Sequence, residues 1–278
     1  MTKQLPPIFY KYLGEETTDK FLLDMLKEKY MFFSDPETVN DIFDCSYSFD
    51  EEAIMDFPIK NETWGIIFSF LQEENIKTET IEIDTSAKTV GDIFSYLEKQ
   101  VDESILQSIK KLLVNSLQNV KSPNRIYSMT EVNDSLLMWA HYGGHLKGSI
   151  MCFATQKEPR FFSKAEKITY SKDRCLTTYK VRLTKSLDWE YEREWRLISY
   201  AESDKNCHKT DSIVAVIMGK NVKISVAQDL LGFCSQNDMP LFIAEPDDKL
   251  FKINISPYYI PEPQSKYQSL IAEIAHTN

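Results

Sequence analysis

The chain has 278 residues, 42% of them apolar and 27% charged, with a formal charge of −10. That length and mix can bury a substantial core, and only eight glycines and eleven prolines argue against a low-complexity chain. The acidic balance argues against a dedicated nucleic-acid binder, because a phosphate backbone repels it on average, although Lys157 to Arg182 supplies a local basic run.

No apolar run approaches the ~20 residues needed to span a bilayer. The opening MTKQLPPIFYKYL lacks the apolar core of a signal peptide. The expectation is therefore a cytoplasmic protein with no membrane partner. The five cysteines, Cys45, Cys152, Cys175, Cys207 and Cys234, are scattered and form no C-x-x-C pair. Neither a disulfide framework nor a clustered metal site is expected from them.

In chain order, the β-branched and aromatic run Ile8 to Tyr12 predicts a first strand. Thr17 or Thr18 then caps a helix whose Phe21, Leu22, Met25, Leu26 and Lys29 keep the 3.6-residue period. Tyr30 to Ser34 reads as a second strand ending at the turn signal Asp35-Pro36, with Asn40, Asp41 and Asp44 as turn or cap residues.

From about 50 to 122 the composition shifts. Thr63 to Glu74 and Val90 to Val120 place apolar residues at helical spacing and predict two or three amphipathic helices. Between them, KTETIEIDTSAKT is a loop or a short strand, and Ser122-Pro123-Asn124 closes the helical section.

Beyond it the chain reads as β-rich. Arg125 to Thr130, Gly148 to Ala154, Glu166 to Tyr170, Trp189 to Tyr200, Asp211 to Met218 and Leu241 to Ala244 are predicted strands. SLLMWAHY is a short helix stopped by Gly143-Gly144, and SVAQDLLGFCSQN is a second helix after the turn Met218-Gly219-Lys220. A final strand pair joins KLFKINI to the tail. This order favours an α+β fold: one domain over 1–278, a mixed or antiparallel sheet, and a helical insertion at about 50–122.

Four pieces are similar to a bacterial family catalogued as domain of unknown function 2971. They are F-Y-K-Y at 9–12, F-F-S-D-P…N-D-I-F-D at 32–44, L-M-W-A-H-Y…H-L-K-G at 137–148, and K-S-L-D-W-E-Y-E-R-E-W-R at 185–196. That family name states no activity. The chain also resembles the ADP-ribosyltransferase superfamily in the order of its parts: Lys11 on the first strand, Ser34 ending the second, and a late Glu192-Arg193-Glu194. It departs by having lysine where that superfamily has arginine or histidine, and by lacking Ser-Thr-Ser. The resemblance implies a split sheet, NAD as the substrate cofactor, and a macromolecular acceptor, protein or nucleic acid. It also implies a toxin or phage-defence role; a partner such as an antitoxin belongs to the alternative of an interaction module.

Glu190, Glu192 and Glu194 sit two apart in a predicted strand and so share one face. Three such carboxylates repel one another unless solvent, cations or a raised pKa relieves them. Either they pair with Lys180, Arg182 or Arg196, or they are held for chemistry. In the second case Glu194 is the catalytic group that steadies a ribose cation and Glu192 is its helper.

Lys11, flanked by Tyr10 and Tyr12, either binds the nucleotide beside stacking surface or is a surface lysine of an edge strand. Ser34 is a ribose contact or a turn residue. Trp139 and Tyr142 form a pocket wall or core. His141 and His145 have i,i+4 spacing, but the glutamate of H-E-x-x-H is absent and Gly143-Gly144 intervenes. The expected sites are thus catalytic Glu194 and Glu192, with Tyr10, Lys11, Tyr12, Ser34, Trp139 and Tyr142 binding NAD. Two alternatives stand beside this: an interaction module docking a partner through the helical insertion, and a metal-dependent hydrolase or nuclease using the glutamates with His141.

Overall fold

The computed structural model describes residues 4–36, 39–45, 55, 59, 61–73, 86–119, 125–174, 181–199 and 206–275. The segment 77–85, Ser122-Pro123-Asn124, Cys175 and Lys180 lie outside the described residues. The chain divides into two compact units. One comprises Met1–Thr38, Asn124–Tyr170 and Lys185–Asn278, and the other Val39–Pro123 and Ser171–Thr184. α and β elements are both present, and no described helix is long and apolar enough to cross a membrane.

Twelve strands are found among the described residues. They are β1 (Ile8–Leu13), β2 (Tyr30–Phe32), β3 (Arg125–Thr130), β4 (Ser149–Ala154), β5 (Glu166–Lys167), β6 (Thr169–Ser171), β7 (Thr184–Ser186), β8 (Glu194–Ser199), β9 (Cys207–Lys209), β10 (Ile213–Gly219), β11 (Leu241–Pro246) and β12 (Ile253–Tyr259). Eight of them form one mixed sheet in the order β12-β11-β10-β4-β1-β3-β8-β5. Only β10 and β11 pair in parallel there, and the helix Ile224–Gln236 makes the crossover that a parallel pair requires.

Alternation along these strands builds two cores, one on each face. Phe9, Leu13, Tyr127, Met129, Met151, Phe153, Trp195 and Leu197 pack on one face with Leu22 and Leu26 of the helix Leu22–Glu28 and Leu230 of the crossover helix. Ile8, Tyr10, Tyr12, Ile150, Cys152, Ala215 and Ile217 pack on the other with Trp139 and Ile274. Each fully buried apolar side chain of this size contributes about 1.5–3 kcal/mol.

The sheet is uneven at its centre. β1 pairs with β4 along its whole length, from Ile8↔Ala154 to Leu13↔Ser149. Its pairing with β3 has a single register position, Tyr10↔Thr130. Four residues back along β3, Ile126 pairs instead with Ser34, through Ser34 N–H to Ile126 O (2.8 Å) and Ile126 N–H to Ser34 O (3.0 Å). One edge of β3 is therefore shared between β1 and the segment that follows β2.

The second unit contains the helices Asn61–Glu73, Val90–Leu97 and Glu103–Asn119. Trp64, Ile67, Leu71, Val90, Ile93, Leu97, Leu106, Ile109 and Leu113 form its core, the apolar stripes that periodicity predicts. A capping box starts the middle helix: Thr89 Oγ1 accepts from Asp92 N–H, and Asp92 Oδ2 accepts from Thr89 N–H.

Several elements differ from the sequence reading. The helix expected from Thr17 or Thr18 starts at Glu15 and breaks at Phe21 into Glu15–Lys20 and Leu22–Glu28. Thr18 spends its hydroxyl on Leu13 O (3.2 Å) instead of capping. The strand expected over Glu166–Tyr170 divides at Ile168, whose N–H donates to Glu194 O (2.9 Å). The tail does not pair with KLFKINI. β12 begins at Ile253 and pairs with β11, and the chain closes with the helix Gln268–Ala275.

Candidate functional site

The strand expected over Trp189–Tyr200 is the correction that matters most. Leu187–Glu192 is a 3-10 helix, started by Ser186, whose hydroxyl accepts from Asp188 N–H. Arg193 then takes a left-handed conformation (φ 45°), and β8 begins only at Glu194. The three glutamates do not line one face of a strand, and Glu190 is exposed. A Ser-x-Asp turn start outcompetes the alternating pattern, because the hydroxyl satisfies a backbone donor that a strand would have to pair elsewhere.

What the turn achieves is convergence. Thr130 at the end of β3 lies opposite Glu194, and its hydroxyl donates to Glu192 O at 2.6 Å. The Glu194 N–H donates to the Tyr170 hydroxyl at 2.8 Å. Both carboxylates are thereby pinned from their backbones, and both are buried: Glu192 is 3% exposed and Glu194 5%.

Two cations are buried with them, Lys185 at 7% and Arg196 at 1% exposure. The Lys185 ammonium lies 2.5 Å from Glu192 Oε2 and 3.2 Å from Glu194 Oε2, bridging the pair. The Arg196 guanidinium holds Glu194 through two bonds, Nε to Oε1 at 2.6 Å and a terminal nitrogen to Oε2 at 3.0 Å. The Tyr142 hydroxyl donates to Glu192 Oε1 at 2.6 Å. Burying an ion costs several kcal/mol, and the cost is offset only where geometry and added hydrogen bonds are as complete as these.

The two carboxylates are driven apart in proton affinity. Burial pushes the Glu192 carboxyl up, the Glu194 charge adds to that, and Lys185 and the Tyr142 hydroxyl only partly oppose it. For Glu194, burial is again the largest single influence and raises the value. Arg196, then Lys185, with a Ser128 hydroxyl bond, overcome it and bring it to about 2. Proton affinity is thus raised on one acid and lowered on its neighbour. That division is the usual mark of an acid/base pair.

Of the residues expected to bind a cofactor, Tyr142 hydrogen-bonds a carboxylate, that of Glu192. Tyr10, Tyr12 and Trp139 are core side chains: Tyr12 meets the Trp139 ring edge-on at 5.3 Å, and Trp139 Nε1–H donates to Asn133 O at 2.8 Å. Tyr10 lies opposite Thr130 and so shares a face with Glu194. Lys11, one residue on, faces the other side, its ammonium 5.1 Å from the Tyr127 ring centroid. Burial lowers its pKa to about 8, against the nearby Glu194 and with the help of Arg196. Ser34 sits at Ile126, four residues from Thr130 and so roughly 13 Å along the strand.

His141 closes the helix Leu136–His141, and His145 lies beyond it in a left-handed conformation (φ 55°), so the two do not form a helical i,i+4 pair. Among the described residues no group of three His, Cys, Asp or Glu could hold a metal ion. His141 instead joins an aromatic group, with ring centroids 6.2 Å from Trp189 and 6.3 Å from Tyr191. The Lys185 ammonium lies 5.1 Å from the Trp189 centroid. A hollow of about 450 Å³ is lined by Glu158, Phe161 and His208, among others, and does not include the carboxylates.

Lys185 and Tyr170 were missed by sequence reasoning. The signal for Lys185 was the Ser186-x-Asp188 turn, since one 3-10 helix carries the chain back so that residues seven and nine apart meet. For Tyr170 no local signal exists. No family model, no curated protein and no solved structure matches this chain.

Proposed function

We propose that the chain is an ADP-ribosyltransferase-like enzyme that takes ADP-ribose from NAD and passes it to a macromolecular acceptor. The observation that carries this reading is the pair Glu192 and Glu194, two residues apart in one buried cluster, the first with its proton affinity raised and the second with it lowered. Breaking the bond between the nicotinamide nitrogen and ribose C1′ leaves the electron pair on nitrogen and positive charge on the sugar. An ionised carboxylate in a water-poor site steadies that charge. Glu194 has the proton affinity for this role. The acceptor's oxygen or nitrogen bonds to C1′ and gives up its proton, and Glu192 has the raised affinity of a general base.

Two further features support it. β1 and β3 share the register pair Tyr10↔Thr130, and Ser34 bridges to Ile126 further along β3, an irregularity that would suit the split sheet of that superfamily. The group of His141, Trp189 and Tyr191 offers aromatic surface. Glu194, Glu192, Tyr142 and Lys185 are the residues that would meet the ribose. Tyr10, Tyr12 and Trp139 would support them from the core. A toxin or defence role, with a protein or nucleic-acid target, belongs to the same reading.

A second reading is favoured by the completeness of the ion pairing: every charge of the set already has a protein partner. On that reading the set locks β8 in place and the chain is an interaction module. Calorimetry with NAD, together with nicotinamide release, separates the two. The enzyme reading expects binding and release that Glu194→Gln abolishes while the fold persists. A folded wild-type chain that neither binds nor consumes NAD sinks it.

A further inference from the structure

We propose that Glu131 is a positioning residue, clamping Arg193 in the left-handed turn that brings the Glu192 and Glu194 carboxylates together. Arg193 has φ 45° and ψ 48° and ends the 3-10 helix Leu187–Glu192. A Cβ crowds the neighbouring carbonyl in that conformation, so such positions ordinarily go to glycine or asparagine. Arginine persists there when the surrounding structure holds it. Glu131, the residue after β3, supplies the hold. Its Oε1 accepts from Arg193 Nε at 2.7 Å and lies 2.6 Å from a terminal nitrogen of the same guanidinium. The same oxygen accepts from Lys167 Nζ at 3.2 Å, and Oε2 accepts from Trp195 Nε1–H at 3.1 Å.

Exposed ion pairs are usually worth little, and the Arg193 and Lys167 side chains are both about half exposed. Glu131 differs from them. Its side chain is only 12% exposed, and its carboxylate takes donors from β5, the turn and β8. Burial alone would raise its pKa, but the bonds from Trp195, Lys167 and Arg193 prevail and lower it. The carboxylate is therefore ionised at neutral pH and grips the guanidinium by charge-assisted bonds.

Each residue of the turn has its own tie. The Thr130 hydroxyl donates to Glu192 O at 2.6 Å, and the Ile168 N–H donates to Glu194 O at 2.9 Å. Between them the Arg193 N–H reaches only back to Glu190 O, at 3.2 Å, so the link from Arg193 to β3 runs through its side chain. Losing that link lets the backbone of Arg193 relax and moves Glu192 relative to Glu194. Their separate proton affinities depend on shared burial and on Lys185 lying between them, so those affinities report the state of the turn. The inference deepens the enzyme reading and rests on it only for the kinetic readout.

The test follows carboxyl-carbon titrations by NMR in the full chain labelled with carbon-13 glutamate, with Glu192→Gln and Glu194→Gln assigning the two signals. Glu131→Gln keeps an acceptor for the Trp195 indole and removes the charge. It is expected to bring the Glu192 and Glu194 midpoints towards the ordinary carboxylate value, each by roughly threefold or more in proton affinity. Arg193→Met, which leaves Glu131 its other donors, should reproduce that shift, and it carries the test if Glu131→Gln does not fold. Arg193→Gly takes the left-handed backbone without a Cβ penalty, so Glu131→Gln added to it should shift the midpoints little. Nicotinamide release by Glu131→Gln should slow by roughly tenfold or more, the effect of misaimed acids. A folded Glu131→Gln chain whose two midpoints match wild type overturns the proposal. So does an equal shift in the Arg193→Gly background, which would place the effect in Lys167 or Trp195. The titration uses no nucleotide, so a chain that never consumes NAD sinks the enzyme reading and leaves the clamp standing.

Discussion

Arg196 grips the Glu194 carboxylate from two positions further along the same strand, with bonds of 2.6 and 3.0 Å, and both side chains are buried. Residues i and i+2 of a strand share a face, so β8 supplies the ion and its counter-ion by itself. Removing the cation leaves a buried carboxylate with Lys185 as its remaining counter-ion and the Ser128 hydroxyl bond. Arg196→Met is therefore expected to destabilise the chain by about 3–5 kcal/mol in urea unfolding. Adding Glu194→Gln to it should restore part of the loss, because the two residues act as one unit. A cost equal to the sum of the single changes would contradict the pairing.

The two carboxylates give opposite dependence on pH. Glu194 is lowered from its ordinary 4.5 to about 2, so its contribution is present above 4.5 and is lost as pH falls through about 2. The size is roughly 3 kcal/mol, at about 1.4 kcal/mol per unit. Glu192 is raised, so its contribution is present below the ordinary value and fades as pH climbs through the raised one. Unfolding free energies measured across acid to neutral pH should show Glu194→Gln flattening the acid limb. Glu192→Gln should flatten the decline above it. If both variants keep the wild-type profile, the assignment of the two affinities fails.

Thr130 ties β3 to the turn that delivers Glu192. Its hydroxyl donates to Glu192 O at 2.6 Å and accepts from Val132 N–H at 3.0 Å. Thr130→Val keeps the shape and removes both bonds, with an expected cost of about 1–3 kcal/mol in thermal or urea unfolding. Thr130→Ser, which retains the hydroxyl, should recover most of it. Equal losses in the two variants would place the effect in packing instead.

Gly148 leads the chain into β4 where the backbone of β1 passes close by. A Cβ at this position would come within 2.0 Å of Leu13 O, a main-chain atom that has no side-chain freedom to yield. Gly148→Ala should cost about 3 kcal/mol or fail to accumulate as folded protein. The control is Gly232→Ala, where a Cβ meets nothing within 4 Å on the crossover helix. There a gain of about 0.5–1 kcal/mol is expected from the helix preference of alanine.

Periodicity told the local story well wherever one rule acted alone. Ile8–Leu13, Arg125–Thr130 and the crossover helix stand within a residue or two of their predicted bounds, because burial and hydrogen bonding favour the same conformation there. Around Trp189 two rules competed. The alternation of acids and aromatics described a strand, while Ser186 and Asp188 described a turn, and the turn won.

The sequence by itself determined the strand and helix content, the apolar stripes of the second unit, and the candidacy of Glu192 and Glu194 among the acids. It could not determine their partners. Lys185 reaches them through a 3-10 helix, Tyr142 from a separate helix end, and Tyr170 from β6, its hydroxyl accepting from the Glu194 N–H. Which ionisable groups share a dry space is a property of long-range contacts. The proton affinities that separate Glu192 from Glu194 follow from that shared burial, so only the tertiary structure decides them.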